Sequence, residues 1–382
     1  MRSQARRQSA SICMVSWFVA FLVAGLPTSS LARSDTRTAG AEDLALARLD
    51  GFTSDLSKTN AFSGVVLIAR NGRVLFEKAY GKRDAVGNDP NTVDTRFNLA
   101  SAGKMFTSVA VWQQIAAGRL SLDTHVGEVL KDYPNRSFAD TVTVRELLTH
   151  TSGAGDVPLF GVENAANRAR VHTVADMLAL ADNKPPAFTP GSKLVYDNFG
   201  YVVLGRMVEV LSGEDYETYV RRHIFEPAGM THTGFVDCAT SAPDLAVGYV
   251  TVDGKQVTDC HTLPVRGFPA GGEVSTAGDM YRFVEALQSG KLIPAALFAQ
   301  ATKNYRMYMG LGFFATGFGP GVPKRDFRWG HGGSAGGICV DVRTYPHTGE
   351  TVIVLGNENP PPACYPVANF LHGDYAKTHQ GH

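Results

Sequence analysis

Charge of either sign is sparse and evenly balanced in this sequence. Lysine and arginine together number 36, as do aspartate and glutamate, and the four types make up 19% of the 382 residues. A nucleic-acid-binding domain carries a basic excess, and a disordered chain combines high charge with few apolar residues. Because 44% of this chain is hydrophobic and its net charge is zero, we expect a folded protein that binds no nucleic acid.

Long apolar runs are also scarce. The one candidate is the run at 12–26, which follows three arginines and precedes small residues at 30–32. A membrane-spanning helix needs about 20 apolar residues, so this run is short for an anchor and typical of a signal peptide. We expect residues 1–32 to be removed, leaving a secreted or periplasmic protein of residues 33–382 with no stable membrane anchor.

Cysteine is equally rare, with five residues, and Cys13 falls in the predicted signal peptide. In an oxidising compartment the other four favour disulfides, and proximity suggests Cys238 with Cys260 and Cys339 with Cys364. Three pairings are possible, and four free thiols remain the alternative. No Cys-x-x-Cys or His-Glu-x-x-His spacing occurs, so we expect neither a metal site nor a cofactor.

Strand-like segments lie near both chain ends, and helical segments lie between them. Residues 62–81 read as a hairpin around Asn71-Gly72, and 337–355 as a second hairpin. Short helices and loops fill 120–270. This order predicts an α/β protein of the α+β type, with one antiparallel sheet built from both ends, flanked by helices, and a mostly helical lobe inserted at roughly 120–270.

Three helices have clear sequence signals. Apolar residues surround much of the segment 101–117, which predicts a buried helix. Thr143 and Glu146 form a capping box, and another helix is expected from Phe199 until it ends at Gly213.

The first chemical motif is Ser101-x-x-Lys104, at the start of the buried helix. Because the two residues are three positions apart on a helix, their side chains share a face. A serine hydroxyl needs such a neighbouring base to become a nucleophile. Lysine is such a base only when burial or nearby positive charge depresses its pKa. Alone the motif is weak, because a capping serine followed by a surface lysine gives the same pattern.

Two further motifs follow in the chain. In Tyr196-Asp197-Asn198, a tyrosine beside a lysine can act as a base or proton shuttle, and the asparagine amide can hold substrate or the lysine. The plain alternative is a loop with an Asx turn. His331, Gly333 and Ser334 lie in a His-Gly-Gly-Ser segment just before the second hairpin, whose alternative is a solvent-facing histidine at a hairpin entry.

A decoy overlaps the last motif. Residues 332–336 read Gly-Gly-Ser-Ala-Gly, which matches the nucleophile elbow Gly-x-Ser-x-Gly. That elbow joins a strand to a helix, whereas strand-like sequence follows here. We therefore expect only the backbone of Ser334 to take part in chemistry.

Together these motifs resemble those of serine β-lactamases and penicillin-binding proteins. The segment 97–106 is similar to their nucleophile segment, Tyr196-x-Asn198 to the Tyr-x-Asn of class C β-lactamases and related esterases, and His331-x-Gly333 to the His-x-Gly that replaces Lys-Thr-Gly in esterase and peptidase relatives. The resemblance spans roughly residues 60–375. Asp197 departs from the small residue usual at that place and leaves open an acidic contact to Lys104 or to a cationic substrate.

The resemblance implies a Ser101 acyl-enzyme with Lys104 and Tyr196 as catalytic partners. Asn198 and His331 would contact substrate, and Gly333 would allow its backbone to approach closely. The Ser334 and Ser101 N–H groups would form an oxyanion hole. Because histidine replaces a lysine that binds the β-lactam carboxylate, an ester or small amide or peptide is favoured over a β-lactam. Among amides, a peptide of D-amino acids is the leading candidate, with Asp197 near its amine.

The competing class is a non-catalytic binding or envelope-organising protein that keeps the fold, because a fold alone never proves activity. Retention of Ser101, Lys104 and Tyr196 together argues against that class.

Overall fold

The computed structural model describes residues 29–180, 185–358 and 364–372. The described chain divides into two units between Ala45 and Leu46, and all features below lie in the second unit apart from the first part of one helix. The predicted signal peptide lies outside the described residues except for its end. Within the described ranges, no helix has the length and hydrophobicity that crossing a membrane requires.

The strands are short except in one central sheet. Their bounds are β1 Gly64–Arg70, β2 Arg73–Tyr80, β3 Lys82–Asp84, β4 Asp89–Pro90, β5 Phe97–Asn98, β6 Tyr249–Val252, β7 Lys255–Thr258, β8 Val274–Ser275, β9 Phe314–Thr316, β10 Arg328–Ala335, β11 Ile338–Tyr345 and β12 Glu350–Gly356.

The helices lie mainly between β5 and β9. Their bounds are α1 Ser29–Lys58, α2 Lys104–Ala116, α3 Val126–Val129, α4 Arg136–Thr141, α5 Val144–Leu148, α6 Ala165–Arg170, α7 Val174–Leu178, α8 Phe199–Ser212, α9 Tyr216–Val220, α10 Glu226–Ala228, α11 Ala277–Gln288, α12 Ala295–Thr302 and α13 Cys364–Asn369. A 3₁₀ turn at Ala100–Gly103 leads directly into α2.

One antiparallel sheet is built from both ends of the described chain. Its order is β2-β1-β12-β11-β10-β9, so the first hairpin joins the last one through the pairing of β1 with β12. Asn71 and Gly72 both have positive φ, as a two-residue hairpin turn between twisted strands requires. The predicted fold class and both hairpins are confirmed.

Helices cover both faces of this sheet. Along β1, Val65 and Leu67 belong to the large core that includes α2 and α8, whereas Val66 and Ile68 face a smaller core with Leu49 of α1. Alternation along a strand sends successive side chains to opposite faces, which explains how one apolar strand serves two cores.

The segment between the two halves of the sheet is largely helical, as expected. Helices α3 to α10 occupy 126–228, and α8 ends at Gly213 in the left-handed conformation, as predicted. The capping box of Thr143 and Glu146 is also present. Among the elements that were not predicted, β6 and β7 form a separate hairpin around Asp253-Gly254.

The four described cysteines form two disulfides, in the predicted pairing. Cys238 is bonded to Cys260 with Cα atoms 5.5 Å apart, and Cys339 to Cys364 with Cα atoms 5.9 Å apart. The first closes a loop that contains β6 and β7. The second ties β11 to α13.

Candidate active site

Ser101 lies on the 3₁₀ turn and not on α2, so the predicted helix starts three residues later than expected. The turn is held from outside: Leu99 N donates to Glu273 O at 2.8 Å, and Ala100 N to Asn98 Oδ1 at 2.8 Å. Ala100 has φ of 43°, a left-handed conformation that costs a non-glycine residue about 1–3 kcal/mol. These contacts hold Ser101 half-buried beside a pocket.

Lys104 is fully buried behind Ser101. Its Nζ lies 3.2 Å from Ser101 Oγ, 2.6 Å from Asn198 Oδ1 and 2.7 Å from the carbonyl oxygen of Ala270. Burial lowers the pKa of Lys104 to about 7, although the carboxylates of Asp197, Asp156 and Glu273 oppose the change. A substantial fraction of Lys104 is therefore an uncharged amine at neutral pH.

The partners of Lys104 determine what its amine can do. The carbonyl oxygen of Ala270 only accepts, and the amide of Asn198 is oriented by its Nδ2, which donates to Asp156 Oδ1 at 2.8 Å. A neutral amine has two N–H groups, which these two acceptors use. The lone pair then remains for the hydroxyl proton of Ser101, which is the geometry of a general base.

Tyr196 lies above Lys104, whose Nζ is 4.9 Å from the centre of the tyrosine ring. Its ring stacks on the buried His150 with centroids 4.2 Å apart. Although Tyr196 is 37% exposed, desolvation of its hydroxyl raises the pKa of Tyr196 above its ordinary value, and a hydrogen bond with Ser101 offsets this only in part. Tyr196 is therefore a phenol at neutral pH and does not act as a phenolate base.

Asp197 does not face the pocket, which contradicts the expected contact with a substrate amine. Its side chain is 2% exposed; Oδ2 accepts from Ser152 Oγ at 3.0 Å and Oδ1 from Gly200 N at 3.1 Å. The carboxylate accepts a hydrogen bond in the first turn of α8, because the first backbone N–H groups of a helix need acceptors. Only its charge reaches Lys104.

Strand β10 crosses the nucleophile turn closely at Gly333. A Cβ at this position would collide with Leu99 O and lie 3.1 Å from Ala102 N. The missing side chain of Gly333 thus lets the nucleophile turn of the protein pack against β10, whereas we expected it to let the substrate backbone approach. Ser334 is exposed beside Ser101, and β9 pairs with β10 only at 328–330, so the strand has a free edge at Ser334.

His331 is buried and uncharged. Its ring stacks on Phe314 with centroids 3.9 Å apart, and its Nδ1 contacts the carbonyl oxygen of Gly332 at 2.5 Å. Burial, with a smaller contribution from Lys104, lowers the pKa of His331 to about 3. It does not line the Ser101 pocket, so the expected direct contact of His331 with substrate is not present, whereas its neutral state agrees with expectation.

The pocket beside Ser101 has a volume of about 380 Å³. Of the residues predicted for the site, it is lined by Ser101, Tyr196, Asn198 and Ser334, while Lys104 lies beneath them. Residues 262–264, close to the Cys238–Cys260 disulfide, form part of the opposite wall. The decoy segment 332–336 runs from β10 towards β11, strand to strand, so it is not a nucleophile elbow.

The catalytic motifs in the sequence predict neither of two acidic residues that the structure places at the site. Asp156 lies in an irregular loop, lines the pocket and accepts a hydrogen bond from Asn198, 42 residues away. Glu273 is fully buried against Gly103, and neither of its carboxyl oxygens has a hydrogen-bond partner among the described residues. Only the packing of distant segments shows that either residue belongs here.

The antiparallel sheet, the inserted helices and the serine–lysine pair at their junction are those of the β-lactamase/transpeptidase-like fold. The family model named Beta-lactamase matches residues 49–377, and the chain belongs to this family.

Similar proteins include a putative penicillin-binding protein PbpX of Bacillus subtilis, 30% identical over 79% of this chain and 72% of that protein. Esterase EstB of Burkholderia gladioli is 34% identical over 50% of this chain and 51% of its own. The solved D-amino acid amidase of Ochrobactrum anthropi, 20% identical, shares the fold with a TM-score of 0.70 over 87% of this chain and 99% of its own.

Proposed function

We propose that this chain is an exported serine hydrolase that cleaves an ester or small amide through an acyl-enzyme on Ser101. The observation that supports it most directly is the position of Lys104 Nζ, 3.2 Å from Ser101 Oγ with its other two contacts both acceptors. A lysine held in this way, with its pKa lowered to about 7, is equipped to remove the serine proton.

The proposed reaction has two halves. Ser101 Oγ attacks the substrate carbonyl while its proton passes to Lys104 Nζ, and the backbone N–H groups of Ser101 and Ser334 bind the oxyanion. The bond to the alcohol or amine then breaks, and that leaving group takes up the proton. A water molecule attacks the acyl carbonyl next and Lys104 accepts its proton. Lys104 then returns that proton to Ser101 Oγ as the bond between Ser101 and the acyl carbon breaks, so the carboxylic acid leaves and the serine is restored.

Tyr196 is the proposed proton donor to the leaving group. Its raised pKa keeps the phenol protonated at neutral pH. Its ring stacks on His150, and Lys104 Nζ lies 4.9 Å from the centre of that ring. A proton given to the leaving oxygen or nitrogen is replaced from Lys104, which carries the proton of Ser101 at that stage.

Esters and small amides are preferred to β-lactams in this proposal because Arg266, the cationic side chain in the pocket lining, is already paired with Glu217 and Asp237. His331 is uncharged and covered by Phe314. The esterase relative supports an ester substrate, and the D-amino acid amidase shares only the fold.

Export is proposed from the leader-like sequence at 1–32, and the two disulfides fit an oxidising compartment.

Two serine variants test the proposed nucleophile. Ser101→Ala should abolish hydrolysis of a short-chain p-nitrophenyl ester, whereas Ser334→Ala should retain most of it, because only the backbone of Ser334 takes part. Circular dichroism and thermal unfolding check that both variants are folded. Loss of activity in Ser334→Ala with activity retained in Ser101→Ala would show that the motif assignment is wrong.

A further inference from the structure

The pocket beside Ser101 is lined by two charged side chains, Asp156 and Arg266. The charge of Arg266 is already balanced: its Nε lies 3.2 Å from Glu217 Oε1 and 3.4 Å from Asp237 Oδ1. A further bond from its guanidinium goes to the carbonyl oxygen of Phe235 at 3.1 Å. Arg266 therefore presents little net charge to a molecule in the pocket.

Asp156 is in the opposite situation. It is exposed, and its Oδ1 accepts from Asn198 Nδ2 and from the backbone N–H of Val157, both at 2.8 Å. Within the ranges that the structure describes, no lysine, arginine or histidine forms an ion pair with Asp156. In the same ranges, no group donates a hydrogen bond to Asp156 Oδ2. Asp156 thus offers the pocket a carboxylate without a direct ion-pair partner among the described residues and with one free oxygen, although its charge also acts on Lys104.

The carboxylate is linked to the nucleophile by a continuous series of hydrogen bonds. Asp156 binds the amide of Asn198, Asn198 binds Lys104 Nζ, and Lys104 contacts Ser101 Oγ. The first of these bonds leaves Oδ2 unused, and both Asp156 and Ser101 line the same pocket. An amino group on a short acyl chain bound at Ser101 can therefore approach Asp156.

We propose that Asp156 binds a protonated amino group on the acyl part of the substrate, so that the preferred substrates are esters or amides of amino acids with a free amine. The inference rests on the hydrolase proposed above and names its substrate class. It assigns to Asp156 the contact that the sequence suggested for Asp197. A carboxylate at this place also repels an anionic substrate, which agrees with the absence of a balancing charge on His331.

The test compares two esters that differ by one amino group, alanine ethyl ester and ethyl propionate, with hydrolysis followed by acid release at pH 7. Both enantiomers of the alanine ester are used. The readout is the ratio of kcat/KM for the amino ester to that for the propionate ester. A ratio removes any common effect of a variant on the Asn198–Lys104 contact.

The wild-type enzyme should prefer at least one alanine ester, and Asp156→Asn should lower the ratio by about ten- to a hundredfold, the range of a charge-assisted hydrogen bond. Glu163→Gln is the matched control: it removes an exposed carboxylate that does not line the pocket and should leave the ratio unchanged. An unchanged ratio in Asp156→Asn, or an equal fall in Glu163→Gln, would overturn the inference.

The two proposals fail in different ways. If hydrolysis of ethyl propionate does not depend on Ser101, the proposed hydrolase is wrong. If that hydrolysis depends on Ser101 but the wild type shows no preference for the amine, only the role of Asp156 is wrong.

Discussion

The carboxyl group of Glu273 occupies the space that a side chain at position 103 would need. A Cβ on Gly103 would collide with Glu273 Oε2, so the residue between Ser101 and Lys104 on the inner side of the turn has to be glycine. Burial raises the pKa of Glu273 to about 8, although Lys104 offsets this in part. Glu273 is therefore mostly a neutral acid at pH 7.

This burial predicts a pH-dependent effect of Glu273→Gln on stability. Because the pKa of Glu273 rises from 4.5 to about 8 on folding, its contribution to stability is fully present below pH 4.5 and is lost as the pH rises through about 8. Each unit between these values costs the wild type up to about 1.4 kcal/mol. Glutamine has no proton to lose, so the variant should gain stability relative to the wild type between pH 5 and 8.5.

Urea unfolding at a series of pH values measures this difference, with the exposed Glu163→Gln as a control that should show no such trend. Parallel pH profiles for Glu273→Gln and the wild type would mean that Glu273 is hydrated or ionised in the folded protein.

A second prediction concerns the pH dependence of catalysis. Because the pKa of Lys104 is about 7, kcat/KM for an uncharged ester should rise with pH through about 7 and then level off as the lysine becomes an amine. Lys104→Arg keeps the positive charge but cannot lose its proton, so it should lower kcat/KM by about 10²- to 10⁴-fold.

Hydrolysis rates from pH 5.5 to 9 on the two proteins make this measurement. A wild-type profile that is flat across pH 7, or an arginine variant with normal activity, would exclude Lys104 as the base.

Local sequence signals predicted the parts of the fold that depend on local geometry. Asn71-Gly72 marks a hairpin because its backbone needs two positive φ angles, and Gly213 ends α8 for a related reason. Asp253-Gly254, flanked by β-branched residues, carries the same signal, and both residues have positive φ in the turn between β6 and β7.

The candidate site was predictable in its serine, lysine, tyrosine and asparagine but not in its acidic residues. Asp197 and Asp156 are both carboxylates near Asn198, and only the fold decides that the first points into α8 and the second into the pocket. The start of α2 at Lys104 depends likewise on a distant residue, since Glu273 O fixes Leu99 N before the turn.

The disulfides predict a measurable contribution to stability. Peptide mapping without reductant should find Cys238 linked to Cys260 and Cys339 linked to Cys364, with sequence separations of 22 and 25 residues. A crosslink that closes a loop of this size stabilises by about 3 kcal/mol in the chain-entropy model. The double variant Cys238→Ser/Cys260→Ser should lose about this much in denaturant unfolding, and four free thiols in protein purified without reductant would refute the pairing.

The neutral state of His331 predicts poor activity on β-lactams. Turnover of simple esters should exceed that of penicillins or cephalosporins by several orders of magnitude in kcat/KM. His331→Lys should not narrow the gap, because position 331 is buried against Phe314 and does not line the Ser101 pocket.

Steady-state kinetics on one ester and one cephalosporin measure both effects. Efficient cephalosporin hydrolysis by the wild type would refute the prediction. A gain of cephalosporin hydrolysis in folded His331→Lys would show instead that the side chain at position 331 reaches the pocket.

The most direct test of the account is the covalent labelling of Ser101. A fluorophosphonate reacts only with a serine whose hydroxyl is activated, so intact mass should show one adduct per chain, and peptide mapping should place it on Ser101. Ser101→Ala should give no adduct, and Lys104→Arg should react much more slowly. An adduct on Ser334, or a folded wild-type protein that stays unlabelled, would contradict the assignment of Ser101 as the nucleophile.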